Sequence, residues 1–185
     1  MDSSQRFTIR VVDYDPRWTA VFSQLRERLR PAVGDFAAGV EHVGGTAVRG
    51  LAAKPIIDID VIVKKDDVAR AIDAVEAIGY KHLGDLGIPG REAFTAPEGL
   101  PPHHLYVCVK GGTAVRNHLA LREYLRTHSD TVEAYGALKR DLAMRFPDDI
   151  DAYGSGKTTF IASILEAAAF GRDELDAIRE QNMPR

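Results

Sequence analysis

The sequence predicts an α/β (α+β) fold, a sheet core with helices on its faces and a helical C-terminal layer. Three observations indicate this. Apolar stretches with strand and helix periods alternate over roughly the first 110 residues, the remainder is helical in pattern, and residues 54–63 form a nearly continuous Ile/Val run. With 185 residues, of which 45% are hydrophobic and 28% charged, we expect a single domain over residues 1–185. Residues from about 171 to 185 are expected to form a C-terminal helical extension or tail.

Composition narrows the classes of function. The formal net charge of −3 argues against a broad electrostatic contact with nucleic acid. The single cysteine, Cys108, can form neither an internal disulfide nor a cysteine metal cluster. No apolar run approaches the ~20 residues that cross a bilayer, and the first ten residues lack the apolar core of a signal peptide. We therefore expect a cytoplasmic protein without a membrane or nucleic-acid partner, of open oligomeric state.

The first part of the chain alternates strands and helices. Residues 7–14 form an apolar stretch that predicts a short first strand. A helix opens at Pro16, because proline suits the first helical turn. It continues with apolar residues at helical spacing until Pro31 ends it. Residues 37–43 predict a strand that leads into a glycine-rich turn over residues 44–50.

The middle of the chain contains the clearest strand. Residues 54–63 are rich in Ile and Val and include two aspartates, a composition that favours a buried strand. An amphipathic helix over residues 66–79 follows, with Gly79 after its C-terminus. Glycines and Pro89 break residues 80–94 into a hairpin-like region.

Beyond this hairpin the sequence predicts one more strand and then helices. Residues 103–110 alternate between two faces, and His104 lies on the face opposite to the leucine and the valines. Apolar residues at helical spacing predict helices over about residues 116–128, over residues 131–146, and from residue 157 to about residue 180.

The segment around Lys157 looks like an ATP-binding P-loop, but two requirements fail. The pattern G-x-x-x-x-G-K-[ST] needs a glycine five residues before Gly156, where Asp151 stands. A carboxylate at that position would repel phosphates, and no apolar strand leads into the loop. We therefore interpret the segment as a glycine-rich helix start, at which Lys157 can still contact a phosphate.

Asp58 and Asp60 are the strongest candidates for a chemical site. They lie two residues apart on a strand, so both carboxylates point to one face. The apolar residues around them imply burial, and buried carboxylates need a cation or hydrogen-bond donors. Such a pair suits Mg²⁺, which binds one or two carboxylates together with substrate phosphates. The alternative is that both acids lie at the strand end, solvated or paired with Lys54 or an arginine.

A glycine pair precedes these acids. Gly44 and Gly45 follow the strand over residues 37–43, and 12 residues separate Gly45 from Asp58. Two glycines let backbone N–H groups approach a phosphate closely. An apolar strand end, a glycine pair and an Asp-x-Asp strand in this order resemble the nucleotidyltransferase superfamily signature. In that superfamily the glycine turn holds a nucleoside triphosphate and the acids hold Mg²⁺.

Nearly the whole chain resembles one family of that superfamily, the GrpB family. The resemblance extends from about Ile9 to Leu165 through the segments YDPRW, EHVGGTAVRGLAAKPIIDIDVIV, GIPGREAF, HHLYV, LREYLR, YGALKRDLA and YGSGKTTFI. It implies a nucleotidyltransferase-like mixed sheet, and a Tyr-x-x-Gly-Lys helix start formed here by Tyr153, Gly156 and Lys157. Some chains of the family join such a domain to dephospho-CoA kinase, which points to nucleotide or coenzyme A metabolism.

The resemblance also implies roles for individual residues. Asp58 and Asp60 correspond to ligands of Mg²⁺ or Mn²⁺, and together with His104 and Glu41 they are the implied catalytic residues. Arg49 departs from the family pattern, because proline is usual there. The residues implied to bind the nucleotide and its phosphates are Gly44, Gly45, Thr46, Lys54, Arg91, Arg122, Lys139 and Lys157.

A third carboxylate is missing from its usual place. Active members of the superfamily carry it on a neighbouring strand, often as the base for the attacking hydroxyl, but residues 103–110 contain no acid. His104, Glu41 or Glu92 could substitute, and an imidazole with its ordinary pKa near 6.5 suits a general base. Tyr106 stands where the family usually has a second histidine, which argues against a histidine pair as a metal site on this strand.

Two functional hypotheses remain. The first is a Mg²⁺-dependent nucleotidyltransferase that passes a nucleoside monophosphate from a nucleoside triphosphate to a small-molecule acceptor and releases pyrophosphate. The second is a non-catalytic module that binds a nucleotide or phosphorylated metabolite in the same pocket. The Asp-x-Asp pair favours the enzyme, and the missing carboxylate favours the binding module. The sequence leaves the identity of the nucleotide and of the acceptor open.

Overall fold

The computed structural model describes residues 8–168 and 170–181, which contain a five-stranded mixed sheet. Its strands lie in the spatial order β1-β2-β5-β4-β3. β2 runs parallel to β5 and antiparallel to β1, and the other neighbouring pairs are antiparallel. The predicted α/β (α+β) class with a mixed sheet is confirmed. The strands are β1 (Gly39–Val43), β2 (Ile57–Val63), β3 (Lys81–Gly84), β4 (Arg91–Thr95) and β5 (His103–Val109).

Helices cover both faces of this sheet. The helices are α1 (Arg17–Val33), α2 (Val68–Ala77), α3 (Thr113–Thr127), α4 (Ser129–Arg145), α5 (Ile150–Ser155), α6 (Thr158–Ala167) and α7 (Arg172–Gln181). α1 and α2 pack together on one face, whereas α3 packs against β1 and β5 on the other. α4 and α6 pack on α3, and α7 packs on α6, which gives the predicted helical C-terminal layer. Within the described residues, no helix is both long and apolar enough to cross a membrane.

β2 separates the two layers because its side chains alternate. Ile57, Ile59 and Val61 are buried in the main core, where they meet α1 and α2. Asp58 and Asp60 point to the opposite face, towards α3. Burying the aliphatic side chains provides the hydrophobic stabilisation of the sheet, so the register that fixes this core also fixes the side on which both carboxylates stand.

The predicted first strand is wrong. In its place, Val12 forms an isolated bridge with Ala53, with N–O distances of 2.9 and 3.0 Å; Phe7 lies outside the described residues. Ile9 instead buries its side chain against Leu142 and Tyr153, in the helical layer. This packing draws the segment away from the sheet.

Two predicted helix ends also differ. α1 continues past Pro31 to Val33, because burial of Val33 in the core offsets the one backbone hydrogen bond that proline cannot make. The helix predicted from residue 157 to about residue 180 is broken between α6 and α7. The break lets Leu175 of α7 fold back and pack with Leu165 of α6.

The core on the α1 side gives a stability prediction. Ile59 is fully buried, so Ile59→Ala removes core contacts and leaves a cavity. We expect it to lower the free energy of unfolding by about 2–5 kcal/mol in urea denaturation. Ile150→Ala is the matched control, because Ile150 is 45% exposed, and its effect should stay within about 0.5 kcal/mol. Equal effects of the two substitutions would contradict this arrangement of β2.

Candidate functional site

A cavity of about 290 Å³ lies on the face of the sheet that carries the two aspartates. It is lined by the turn after β1, the first halves of β2 and β5, and helices α3 to α6. Leu51, Leu121, Leu125 and Ile161 are among the residues of its apolar wall. Asp58 is the only acid among the described residues that line it. The cavity therefore combines an apolar wall with a small set of charged groups.

Strand register brings the predicted catalytic residues together. Asp58 lies opposite His104 of the parallel strand β5, and Asp60 lies opposite Tyr106. On the antiparallel side Asp60 lies opposite Glu41 of β1. Because directly opposite residues point to the same face of a sheet, these side chains share the face of the cavity. The prediction from the two-residue period is confirmed for the orientation of both aspartates.

Asp58 holds His104 in one tautomer. The Nδ1 atom of His104 lies 2.9 Å from Oδ1 of Asp58. A carboxylate can only accept, so Nδ1 donates, and the Nε2 atom of the neutral ring carries the lone pair. His104 is 47% exposed and lines the cavity. The pair therefore presents a proton acceptor next to a carboxylate.

Asp60 is fully buried and pairs with a histidine that the sequence did not identify. The Nδ1 atom of His118, on α3, lies 2.8 Å from Oδ2 of Asp60, which is 0% exposed. Burial acts to lower the pKa of His118, but the charge and hydrogen bond of Asp60 outweigh it, and the pKa is raised. The other oxygen, Oδ1 of Asp60, is buried without a hydrogen-bond partner in the described residues. The sequence indicated only that a buried carboxylate needs a hydrogen-bond donor, and it did not identify His118 as that donor.

The glycine pair fits tightly around the charged groups. Gly44 has φ +70° and ψ −169°, a conformation that suits glycine. A β-carbon at this position would overlap Oδ2 of Asp58. A β-carbon on Gly45 would lie 3.0 Å from both Nζ of Lys139 and Cβ of Ala53. Both glycines are therefore needed for space, and they bring the turn against Asp58 and Lys139.

Thr46 supports the turn from behind. Its Oγ1 atom lies 3.3 Å from the carbonyl oxygen of Ile56, to which it donates, and 2.9 Å from Nε2 of His42. Thr46 is buried, and burial lowers the pKa of His42 to about 4. His42 is therefore neutral at pH 7. The Thr46 hydroxyl is engaged within the turn, so its side chain has no free donor for the cavity.

Three lysines line the cavity, and none of them forms an ion pair with an acid of the described residues. The ammonium groups of Lys54, Lys139 and Lys157 make no ion pair or hydrogen bond within residues 8–168 and 170–181. Lys54 and Lys157 lie over the ring of Tyr153, and Lys139 lies 4.7 Å from the ring centroid of Tyr135. These are cation–π contacts, which only partly replace lost hydration.

Burial lowers the pKa values of all three lysines. Burial and then the charge of Lys157 lower the pKa of Lys139 to about 7, and Lys139 is only 4% exposed. Burial and then the charge of Lys54 lower the pKa of Lys157 to about 8. Burial also lowers the pKa of Lys54. The burial of Lys139 could be inferred from helical spacing. It follows Tyr135 by four residues and precedes Leu142 by three, which places it on the buried face of α4.

The other predicted residues are engaged elsewhere. Arg122 lines the cavity, but its guanidinium binds Glu41 at 2.8 Å, the carbonyl oxygen of His42 and Glu123. Glu41 itself is 37% exposed. Arg91 is not among the residues lining the cavity; its guanidinium lies 4.5 Å from the ring centroid of Tyr106.

Glu92 stands on the other side of the sheet. It lies opposite Val107, on the face covered by α1 and α2, and accepts a hydrogen bond of 2.7 Å from His82. The segment around Lys157 joins α5 to α6, and no strand leads into it. A β-carbon on Gly156 would lie 2.5 Å from Cδ2 of Leu142. This glycine therefore allows close helix packing and does not form a P-loop.

Comparison with known proteins identifies relatives over most of the chain. A family model described as "GrpB protein" matches residues 8–167. The UPF0157 protein YqkA of Bacillus subtilis is 33% identical over 161 residues, which cover 86% of this chain and 47% of that protein. A dephospho-CoA kinase of Mycobacterium bovis is 39% identical over 189 residues, covering 88% of this chain and 46% of that protein. The chain thus spans about half the length of these two relatives.

A solved structure matches most of the chain. The crystal structure of the conserved protein GrpB from Enterococcus faecalis superposes with a TM-score of 0.76 at 34% sequence identity. The match covers 91% of this chain and 98% of the Enterococcus chain. The sheet and its helical layers are therefore shared with that protein.

The unpartnered lysines give a second stability prediction. Lys139→Met removes a buried cation and no hydrogen bond seen in the structure, so we expect it to raise the free energy of unfolding at pH 6 by roughly 1–4 kcal/mol without ligand. The free energy of unfolding of wild type should rise towards that of the variant as pH rises from about 7 towards 10. The reason is that Lys139 loses its proton near pH 7 in the native state and retains it in the unfolded chain. Thermal denaturation across this pH range measures both effects.

The matched control is Lys110→Met, because Lys110 is exposed after β5. Its effect should stay within about 0.5 kcal/mol and should not change between pH 6 and 9. A destabilised Lys139→Met variant at pH 6 would mean that the ammonium group has a partner in the fold, which would contradict the site described above.

Proposed function

The chain belongs to the GrpB family, and we propose that its cavity binds a nucleoside triphosphate with Mg²⁺ and transfers the nucleoside monophosphate to a small-molecule acceptor. The observation that supports this most is that Asp58, with Asp60 buried beside it on the same face of β2, lines one cavity with three lysines that are paired with no acid in the described residues. Carboxylates alone suit a cation and lysines alone suit an anion. A metal-bound polyphosphate supplies both.

The two carboxylates fit Mg²⁺ or Mn²⁺. Asp60 has a buried oxygen without a hydrogen-bond partner in the described residues, and Asp58 stands beside it on the same face of β2. Within the described residues no group of three or more His, Cys, Asp and Glu side chains could hold a metal ion. This suits an ion that takes its remaining ligands from phosphates and water. When bound, the ion would neutralise charge on the reacting phosphates.

The remaining roles follow from position and donor chemistry. Lys54, Lys139 and Lys157 donate to the phosphates, and the turn at Gly44 and Gly45 leaves room for a phosphate next to its backbone. His104 accepts the proton of the acceptor hydroxyl at Nε2, and Asp58 keeps its ring in the required tautomer. Catalysis then rests on orientation and charge neutralisation.

A second candidate is a module that binds a nucleotide or phosphorylated metabolite without turnover. The acidic groups of the site already have partners, which favours this alternative: Asp58 accepts from His104, Asp60 from His118, and Glu41 from Arg122. Asp58 is the only acid that lines the cavity in the described part of the chain. The dephospho-CoA kinase relative supports including dephospho-CoA and CoA among the ligands to be tested under either function.

A single assay separates the two candidates. The protein is incubated with each nucleoside triphosphate and Mg²⁺ or Mn²⁺, with a small-molecule cell extract as the source of acceptors, and pyrophosphate is measured. Pyrophosphate that depends on protein, metal and extract supports the transferase. Nucleotide binding by calorimetry without any pyrophosphate, across all nucleotides and metals, supports the binding module.

The acid pair gives a prediction for metal and turnover. We expect Mg²⁺ with nucleoside triphosphate to raise the melting temperature of wild type, because a ligand that binds only the folded state stabilises it. The double variant Asp58→Asn with Asp60→Asn should lose the metal-dependent part of this shift. Asp60→Asn alone should lower the rate of pyrophosphate release by about 100-fold or more, a larger factor than its effect on affinity.

Asp73→Asn is the matched control, since Asp73 is exposed on α2, in the layer across the sheet. It should retain the full metal-dependent shift and the full rate. The same shift in wild type and in the double variant would locate the metal away from β2. A folded Asp60→Asn protein with unchanged turnover would exclude that carboxylate from the reaction.

A further inference from the structure

We infer that Lys54, Lys139 and Lys157 form a diphosphate site of their own, the lysine cluster, which binds inorganic pyrophosphate or the terminal two phosphates of a nucleotide without a divalent ion. This inference rests on the proposed function only for the role of the diphosphate as leaving group. Binding to the lysine cluster itself needs neither transfer nor metal.

The ammonium groups of the cluster lie near a tyrosine ring and the glycine turn, which also line the cavity. Nζ of Lys54 lies 5.6 Å and Nζ of Lys157 lies 4.4 Å from the ring centroid of Tyr153. Nζ of Lys139 stands against the turn, 3.0 Å from where a β-carbon of Gly45 would be. All three line the same cavity.

The charges of this region are not balanced by the described residues. Among the described residues that line the cavity Asp58 is the only acid, and it also accepts a hydrogen bond from His104. The fourth cation, Arg122, is neutralised by Glu41 and Glu123. Within the described residues one carboxylate thus faces three ammonium groups, of which that of Lys139 is buried and those of Lys54 and Lys157 are half-buried, and buried charges need partners. An anion with at least two negative charges supplies what the fold lacks.

Donor number favours two phosphates over one. Three ammonium groups provide up to nine N–H donors, and Lys139 and Lys157 reach the cavity from two segments, α4 and the start of α6. Lys157 is the N-cap residue of α6, whose next turn contributes Ile161 to the lining. The positive end of that helix therefore stands beside the cavity and also favours an anion.

The site has a defined part in nucleotidyl transfer. The acceptor oxygen forms a bond to the α-phosphorus and gives its proton to Nε2 of His104. The bond from the α-phosphorus to the bridging oxygen breaks, and its electron pair stays on the pyrophosphate that leaves. Ammonium groups already fixed around that diphosphate stabilise the charge that develops on it. The same contacts would make pyrophosphate a competitive product inhibitor.

Protonation provides a readout that a merely structural cluster would not have. Lys139 and Lys157 have pKa values lowered to about 7 and about 8, so about one proton in total is missing from the pair at pH 7.5. A bound anion restores both charges, and binding takes up about one proton. The charged groups that face the pair are Lys54, Asp58 and Arg140.

The tyrosine rings around the cluster do not add to this titration. Burial raises the pKa of Tyr153 to about 12 and also raises the pKa of Tyr135. Both hydroxyls therefore keep their protons at pH 7.5. His104 also lines the cavity, where its Nδ1 atom donates to Asp58.

The experiment is isothermal titration calorimetry of the full chain with EDTA present, at pH 7.5, in two buffers of different ionisation enthalpy. Sulfate is the first probe, because its charge is constant near neutral pH and any proton taken up comes to the protein. Inorganic pyrophosphate is the second. We expect uptake of about one proton on sulfate binding, and pyrophosphate affinity at least about tenfold higher than that of sulfate.

Variants connect binding to the cluster. Lys157→Met should weaken pyrophosphate binding by about tenfold or more, because each hydrogen bond to a charged group contributes that much. Lys139→Met should do the same and should also abolish part of the proton uptake. Lys110→Met, outside the cavity, should change the affinity by less than about twofold. Thermal denaturation of each variant establishes that it is folded.

The outcomes test the lysine cluster and the transferase separately. Sulfate binding that takes up no proton, or pyrophosphate binding that needs a divalent ion or survives in a folded Lys157→Met protein, overturns the lysine cluster. Metal-free binding with proton uptake and no transfer activity supports the cluster and removes the transferase. Transfer activity with no metal-free binding removes the cluster and leaves the transferase.

Discussion

The alternation of side chains along β2 is the constraint on which the rest of the structure depends. Its aliphatic residues complete the core under α1 and α2, and this burial fixes the register with β1 and β5. The same register places Asp58 and Asp60 on the opposite face, where α3 to α6 enclose the cavity. A slip by one residue would bury both carboxylates in the main core. Stability of the sheet and geometry of the site therefore have one origin.

Several charged side chains at the cavity lower the stability of the free protein, because they are removed from water without full compensation by partners. Lys139 is buried and Lys157 half-buried, both with pKa values well below the ordinary value of a lysine, and Asp60 keeps an oxygen without a partner in the described residues. Such features cost stability in the free protein. Binding of an anion to the lysines and of a cation to the aspartates would offset this cost, because a ligand that binds only the folded state stabilises it. Local instability of this kind is typical of sites selected for binding or reaction.

Much of the site could be predicted because it depends on the local periodicity of side chains along a strand. The period of two on β2 gave the shared face of Asp58 and Asp60, and Gly44 was identified from its position after a strand. Two features needed tertiary structure. The pairing of Asp60 with His118 joins β2 to α3 across 58 positions of sequence. The break before α7 arises because its apolar residues pack back onto α6, whereas the local helical period continues through residues 157–180.

A crystal structure of the protein with Mn²⁺ and a non-hydrolysable nucleoside triphosphate would test the central claim most directly, because the anomalous signal locates the metal independently of the phosphates. We expect one Mn²⁺ peak with Asp58 and Asp60 as ligands, and the terminal phosphates within hydrogen-bond distance of the lysine cluster. A metal peak away from β2, or a triphosphate bound outside the cavity, would contradict the assignment of this face of the sheet as the site.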